Sequence, residues 1–157
     1  MKNKELLASG READACGFAA AHKTDPVCKT IAACGNDCGA CPRHLPKTPA
    51  QLRRTAQLWY RIGYRDHVVD NQEIQCMGCT PENWCRYEIA ACTRRHGIEN
   101  CGFCPDYPCK TLESAFVQTM CFEPACRRQC TGEEYAQLRR AFFEKQTNLN
   151  AVRTNAK

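Results

Sequence analysis

The sequence predicts a small α-rich domain, with helices joined by irregular loops and little regular β, that is cysteine-rich and stabilised by metal. Three observations carry that expectation. Fifteen of the 157 residues are cysteine. The eight Leu, five Ile, five Val and six Phe make up only about 15 % of the chain, below the fraction at which a packed core is comfortable. Short-spaced cysteine groups also alternate with recognisable helix starts. Ordering a backbone costs about 1–2 kcal/mol per residue, so so few aliphatic side chains leave a shortfall that cross-links must cover.

Disulfides, zinc and iron–sulfur clusters are the three candidate cross-links. Disulfides need an oxidising compartment, and Met1 to Arg11 contain no apolar run of the signal-peptide kind. An odd number of cysteines also prevents complete intramolecular pairing. No stretch approaches the roughly 18 apolar residues of a membrane span. The expectation is therefore a cytoplasmic protein without a membrane partner. Its net charge of +5 could suggest nucleic acid, but each four-thiolate zinc site carries about −2, so two sites would bring the chain close to neutrality.

Residues 1–30 read as an N-terminal extension holding Cys16 and Cys28, with a short helix from Glu12 to Ala21. Residues 31–116 read as the metal-binding domain, 117–145 as a helical extension with its own cysteine cluster, and 146–157 as a polar, disordered tail. Thr48-Pro49-Ala50-Gln51 supplies an N-cap, a proline at the first helical position and a capping box. Leu52, Ala56, Trp59 and Gly63 follow at helical spacing, which predicts a helix over 49–68. Thr80-Pro81-Glu82 predicts a second helix through Trp84, Cys85, Ile89 and Cys92, with Arg94, Arg95 and His96 in its last turn and Gly97 as its stop. A third is expected from about Tyr107-Pro108 through Leu112, Ala115, Phe116 and Met120. Thr131-Gly132-Glu133-Glu134 is another capping box, followed by the stripe Tyr135, Leu138, Phe142.

Thiolates suit both zinc and iron–sulfur clusters. The cysteines fall into four groups: Cys34, Cys38 and Cys41; Cys76, Cys79, Cys85 and Cys92; Cys101, Cys104 and Cys109; and Cys121, Cys126 and Cys130. A two-residue gap makes a turn that aims both sulfurs at one point, and two such turns give a tetrahedral zinc site. Cys76/Cys79 and Cys101/Cys104 form such a pair of turns. If Cys85 and Cys92 share a helix, seven steps separate their Cα atoms by roughly 10 Å, too far for one zinc. At least two centres are then expected, or one of these cysteines is free and buried. The first ten, Cys34 to Cys109, are the candidate ligands. For Cys121, Cys126 and Cys130 a buried free thiol is the competing reading.

Cys34-x3-Cys38-x2-Cys41 has the spacing of radical-SAM cluster sites, but the chain is too short for the barrel those enzymes use. Proline follows Cys41 and Cys104, as it follows the last cluster cysteine of bacterial ferredoxins. Zinc, about two ions, and [4Fe-4S] clusters therefore both stand. Among the histidines, His44 is the one plausible ligand, and His96 reads as a helix-end cap. Trp59, Tyr60 and Tyr64 read as one helix's core stripe. The pairs Arg53-Arg54, Arg94-Arg95, Arg127-Arg128 and Arg139-Arg140 are scattered, which argues against nucleic acid without ruling it out. No Ser/His/Asp set, phosphate loop or paired carboxylate motif stands out, so the reading leans away from an enzyme.

Ile31-Ala32-Ala33-Cys34-Gly35-Asn36-Asp37-Cys38-Gly39-Ala40-Cys41-Pro42, Cys76-Met77-Gly78-Cys79, Glu88-Ile89-Ala90-Ala91-Cys92 and the dense block from Gly97 to Cys109 resemble the uncharacterised cysteine-rich family catalogued as domain of unknown function 3795. The resemblance covers about 31–116. It implies a small bacterial or archaeal protein binding metal through these cysteines, with no established activity. Members often carry a cysteine where Tyr87 stands here, a role Cys85 could take. The expected function is a structural zinc module that docks on an unidentified protein. The alternatives are an iron–sulfur redox protein and a metal- or thiol-handling chaperone.

Overall fold

The computed structural model describes residues 30–45, 48–82 and 85–156. The expected helix at 12–21, with Cys16 and Cys28, lies outside the described residues. Within them the chain is helix-rich and has no strand. A single antiparallel bridge, Ile31 with Asp37, closes the first cysteine loop.

Helix α1 runs Pro49–Arg61 behind the expected capping box, in which Thr48 accepts from the Gln51 N–H and Gln51 Oε1 accepts from the Thr48 N–H. Leu52, Ala56, Leu58 and Trp59 are its buried face. It stops seven residues short of 68 because Gly63 does not continue the stripe. Gly63 turns left-handed at φ +84, and the N–H groups of Gly63 and Tyr64 return to the carbonyls of Tyr60 and Trp59, closing the helix. The reversal lets Tyr64 stack on Trp59 at 5.7 Å and on Phe122 at 4.1 Å. Tyr60, expected in the core stripe, is instead half exposed.

Helix α2, Asn71–Ile74, is one turn capped by Asp70, too short to leave a periodic signal. Helix α3, Ile89–Arg95, begins eight residues later than expected. Glu82, Arg86 and Glu88 offer no apolar face, whereas Ile89, Ala90 and Thr93 are buried. Glu88 itself has φ 50, which interrupts any helix entering from Pro81. Cys85 therefore lies outside the helix, and the 10 Å separation inferred for Cys85 and Cys92 on one helix does not apply. The stop at Gly97 holds, with Gly97 and Ile98 N–H bonded to the Arg94 and Thr93 carbonyls.

Helix α4, Lys110–Met120, follows a 3-10 turn at Cys101–Phe103 and buries Leu112 and Ala115. Helix α5, Glu123–Gln129, falls within the expected helical extension, with Pro124 in its first turn. Helix α6, Gly132–Leu138, starts at the expected Thr131/Glu134 box. A π-turn at Arg139–Phe143 leads into α7, Lys145–Asn155. The expected tail from Gln146 is thus a helix, with Asn148 and Leu149 fully covered. Its inward face is only Asn148, Leu149 and Val152, packed on glycines of distant loops, so no apolar periodicity announces it.

The thin core takes the form of separate small clusters. One gathers Leu52, Ala56, Trp59, Ile62, Val69, Ile74, Cys126 and Leu138. Another gathers Ala33, Ile89, Ala90, Cys101, Leu112, Ala115 and Leu149. A small bridge of Ala40, Cys41 and Ala141 contacts Phe142, which also packs on the first cluster. Cysteines are core members in all three.

Gly35 has φ +93, and a Cβ there would lie 2.5 Å from the Lys145 carbonyl oxygen and 2.9 Å from Leu149 Cγ. Gly35→Ala is expected to cost roughly 2–4 kcal/mol from overpacking and left-handed strain together, read by urea unfolding. Gly97→Ala, where φ is +64 in open space, should cost only about 1–2 kcal/mol. Cys126 supplies a second check. Burial, then the charges of Cys130 and Glu123, push its thiol up to about 11 from an ordinary 9.0. The folded chain holds this proton more tightly than the unfolded one, so its stabilising contribution is complete below pH 9.0 and lost as pH rises toward about 11. Cys126→Val should flatten the alkaline fall of unfolding free energy relative to wild type. Parallel curves would contradict this.

Candidate metal centre

Residues 30–45 form a loop built around Asp37. Its carboxylate is fully buried, and Oδ1 accepts the N–H groups of Thr30 at 3.2 Å and Gly39 at 2.9 Å. The Cys38 N–H donates to the Thr30 carbonyl at 2.8 Å and the Ala32 N–H to Asn36 at 2.8 Å. These bonds curl the chain so that Cys34, Cys38 and Cys41 leave one tight loop. Within the described residues, Asp37 Oδ2 and Asn36 Oδ1 are buried without a hydrogen-bond partner.

The next residues, Pro42-Arg43-His44, zip this loop to the Ile74–Cys79 segment. Arg43 Nε donates to the Ile74 carbonyl at 2.8 Å, the Cys76 N–H to the Arg43 carbonyl at 3.0 Å, and His44 Nδ1 to the Cys76 carbonyl at 3.0 Å. His44, the plausible histidine ligand, uses that nitrogen as a clasp between the two loops. Thirty-odd residues of sequence are closed by three bonds, and Cys38-x2-Cys41 meets Cys76-x2-Cys79.

The electrostatics record the meeting. Burial, followed by the charges of Cys41, Cys76, Cys79 and Cys34, pushes the Cys38 thiol up to about 12. Burial, then Cys34, Cys85 and Cys76, pushes Cys79 up to about 11, although the backbone N–H of Ala33 acts in the opposite sense. Burial raises Cys41 as well, against the N–H groups of Arg43 and His44, which favour its thiolate. These donors lie two and three residues past Cys41, in the segment that clasps the loop to Cys76.

A second group surrounds the 3-10 turn. Burial, then Cys109, Cys34, Cys104 and Cys92, pushes Cys101 up to about 12. Cys92, Cys101, Cys104 and Cys109 line a cavity of about 30 Å³ together with His96, Tyr107 and Leu112. That is room for about two water-sized guests. His96 caps α3 as expected, with Nδ1 2.9 Å from the Cys92 carbonyl, and the same nitrogen lies 3.7 Å from Cys92 Sγ. Cys34 acts on Cys38, Cys79 and Cys101 alike, so it stands between the groups. The Cys101 N–H, bonded to the Ala33 carbonyl at 2.9 Å, holds the groups side by side.

The expected pairing of Cys76/Cys79 with Cys101/Cys104 is not the one the fold makes. Cys76 and Cys79 act with Cys34, Cys38 and Cys41, while Cys101 and Cys104 act with Cys92 and Cys109. The physical reason is the Arg43–His44 clasp, two side-chain bonds and one backbone bond that cysteine spacing does not encode. The third set of cysteines separates from both groups. Cys126 sits in the first core cluster with Cys130 against it. Cys130 responds to burial, Glu134 and Arg61, and Cys121 is exposed at the end of α4. Every cysteine of the described residues is a free thiol. Within those residues no three His, Cys, Asp or Glu side chains converge closely enough to hold one ion, so the sulfurs are grouped by the fold but not drawn to coordination distance.

One arginine in each of three of the arginine pairs is engaged. Arg94 pairs with Glu82, Arg139 with Glu144, and Arg127 with both Glu123 and the face of Tyr135. None of the described helices is long and apolar enough to cross a membrane.

No curated protein and no solved structure matches the chain. A family model described as a protein of unknown function (DUF3795) matches residues 30–114, a span that holds both cysteine groups and more than half of the chain. By that match the chain belongs to this family.

Proposed function

We propose that this is a metal-binding protein whose thiolates form two adjoining centres, each closed by zinc, in a small module that docks on another protein. The observation that supports the reading is that Cys41, Cys76 and Cys79 all act on the Cys38 thiol, which makes these four the ligands we assign to the first centre. Cys34 and Cys85 are its neighbours. The second centre would draw on Cys92, Cys101, Cys104 and Cys109. Crowded thiols resist ionisation because each thiolate repels the next. A divalent cation inverts that balance, since it deprotonates the thiols it binds and neutralises their mutual repulsion. The donor set is soft sulfur, which fits zinc. The side chains would have to turn inward to bind, by rotations that leave the zipped backbone in place. Exposed Met77, Phe103, Val117 and Met120 offer apolar surface to a protein partner.

Iron–sulfur clusters are the second reading, with a redox or electron-transfer role. Pro42 and Pro105, each following a cysteine of a different group, favour it. A thiol-handling role fits less well. Reactive thiols have depressed pKa values, whereas every resolved cysteine shift here is upward.

Protein isolated without oxygen should be colourless and carry about two zinc ions per chain. A brown protein with broad absorbance near 400 nm and stoichiometric iron would replace zinc by clusters, and a chain holding neither metal would end both readings. Cys38→Ser and Cys101→Ser should each lower zinc content to about one per chain, and Cys126→Val should leave about two. Metal content unchanged in both serine variants would contradict the two-centre assignment. Zinc uptake near pH 7 should release protons, because thiols raised to about 11–12 are protonated until metal binds. Calorimetry in buffers of different ionisation enthalpy reads that number directly, and a value near zero would contradict the ligand assignment.

A further inference from the structure

Helix α7 lies outside the matched family span, yet it touches both cysteine loops. At its first turns the Asn148 amide donates to the Gly35 carbonyl at 2.9 Å in a buried bond, next to Cys34. Five residues on, roughly 7.5 Å along the axis, Arg153 reaches the second group. One of its guanidinium nitrogens donates to the Gly102 carbonyl at 3.0 Å and the Cys104 carbonyl at 2.9 Å. The guanidinium carbon also lies 4.9 Å over the Tyr107 ring. The Tyr107 hydroxyl donates to Asn150 Oδ1 at 2.7 Å. The backbone of Gly102 rests directly on the helix, since a Cβ there would lie 2.9 Å from Val152 Cγ1.

These contacts act on a segment with little structure of its own. Between Cys101 and Cys109 the only regular element is a three-residue 3-10 turn. A ligand loop that is loose before binding must be ordered when the metal arrives, at about 1–2 kcal/mol per residue. Arg153 fixes the peptides flanking Cys104 by bonding two carbonyls and stacking on a third residue. Lysine cannot reproduce that planar, stacked grip.

We propose that α7 is a retention strap for the second centre, and that Arg153 is its positioning residue, holding the Cys101–Cys109 loop in the shape that keeps metal bound. The proposal rests on the two-centre reading above. The test uses the full chain loaded with zinc alone. Zinc transfer to a chromogenic chelator is followed in wild type, Arg153→Ala and Arg153→Lys, alongside amide hydrogen exchange of residues 101–109 in the zinc-loaded chains. In both variants one zinc should leave about 10–100-fold faster, the scale on which residues supporting metal ligands act, while the other leaves at the wild-type rate. Amide exchange in 101–109 should quicken in both variants and stay unchanged in 34–44. Release of both ions at wild-type rates, or equal acceleration of both, would overturn the strap while leaving two zinc-binding centres standing. A wild-type chain that binds no zinc would instead overturn the two-centre reading and the strap together.

Discussion

Cys38 is surrounded by four other thiols, and burial together with their charge pushes it up to about 12. Cys101, in the adjoining group, reaches the same value for the same reasons. Such crowding is tolerable in two states only: every thiol protonated, or the thiolates neutralised by a cation. Without a cation, the raised values keep these thiols protonated at neutral pH. The backbone donors aimed at Cys41 and Cys79 favour the thiolate, and they oppose the burial around them.

The rest of the fold is organised around that constraint. Apart from Cys92 in α3 and Cys101 in the 3-10 turn, the cysteines of the two groups fall on loops, and side-chain and backbone bonds hold those loops. Asp37 curls the first loop, Arg43 and His44 clasp it to the Cys76 turn, and α7 grips Gly35 and Gly102. The apolar clusters are small, and alanine and cysteine fill many of their positions. Structural zinc contributes about 10–16 kcal/mol of apparent binding energy at neutral pH, while a domain of this size is stable by only about 5–15 kcal/mol. On the two-centre reading, metal binding is therefore of the same order as the whole folding free energy.

Much of this was legible before any coordinates. The helix starts at Thr48 and Thr131 were readable because capping is local chemistry written within four residues. The α-rich, cysteine-rich class followed from counting, and the family assignment from the dense block ending at Cys109. Less legible were features that depend on distant partners. Glu88 in a left-handed conformation displaced the start of α3, and with it Cys85, from the expected helix. The partners of Cys76/Cys79 were set by Arg43 and His44 contacts that no spacing rule contains. Helix α7 was invisible because its buried face is narrow and meets glycine backbone, so neither hydrophobic periodicity nor composition marks it. Arg153 lies on that same helix, and its bonds to the Gly102 and Cys104 carbonyls leave no local sequence signal.

The most direct test removes the metal and asks whether the loops survive. The reduced chain, stripped of zinc and iron by chelator, is compared with the loaded chain by thermal unfolding and by amide exchange of residues 34–44 and 74–79. If thiolate–metal bonds substitute for the missing interior, the stripped chain loses its cooperative transition and its protection in both loops, and both return on adding zinc. A stripped chain that melts cooperatively at the loaded chain's temperature, with both loops still protected, would contradict that claim.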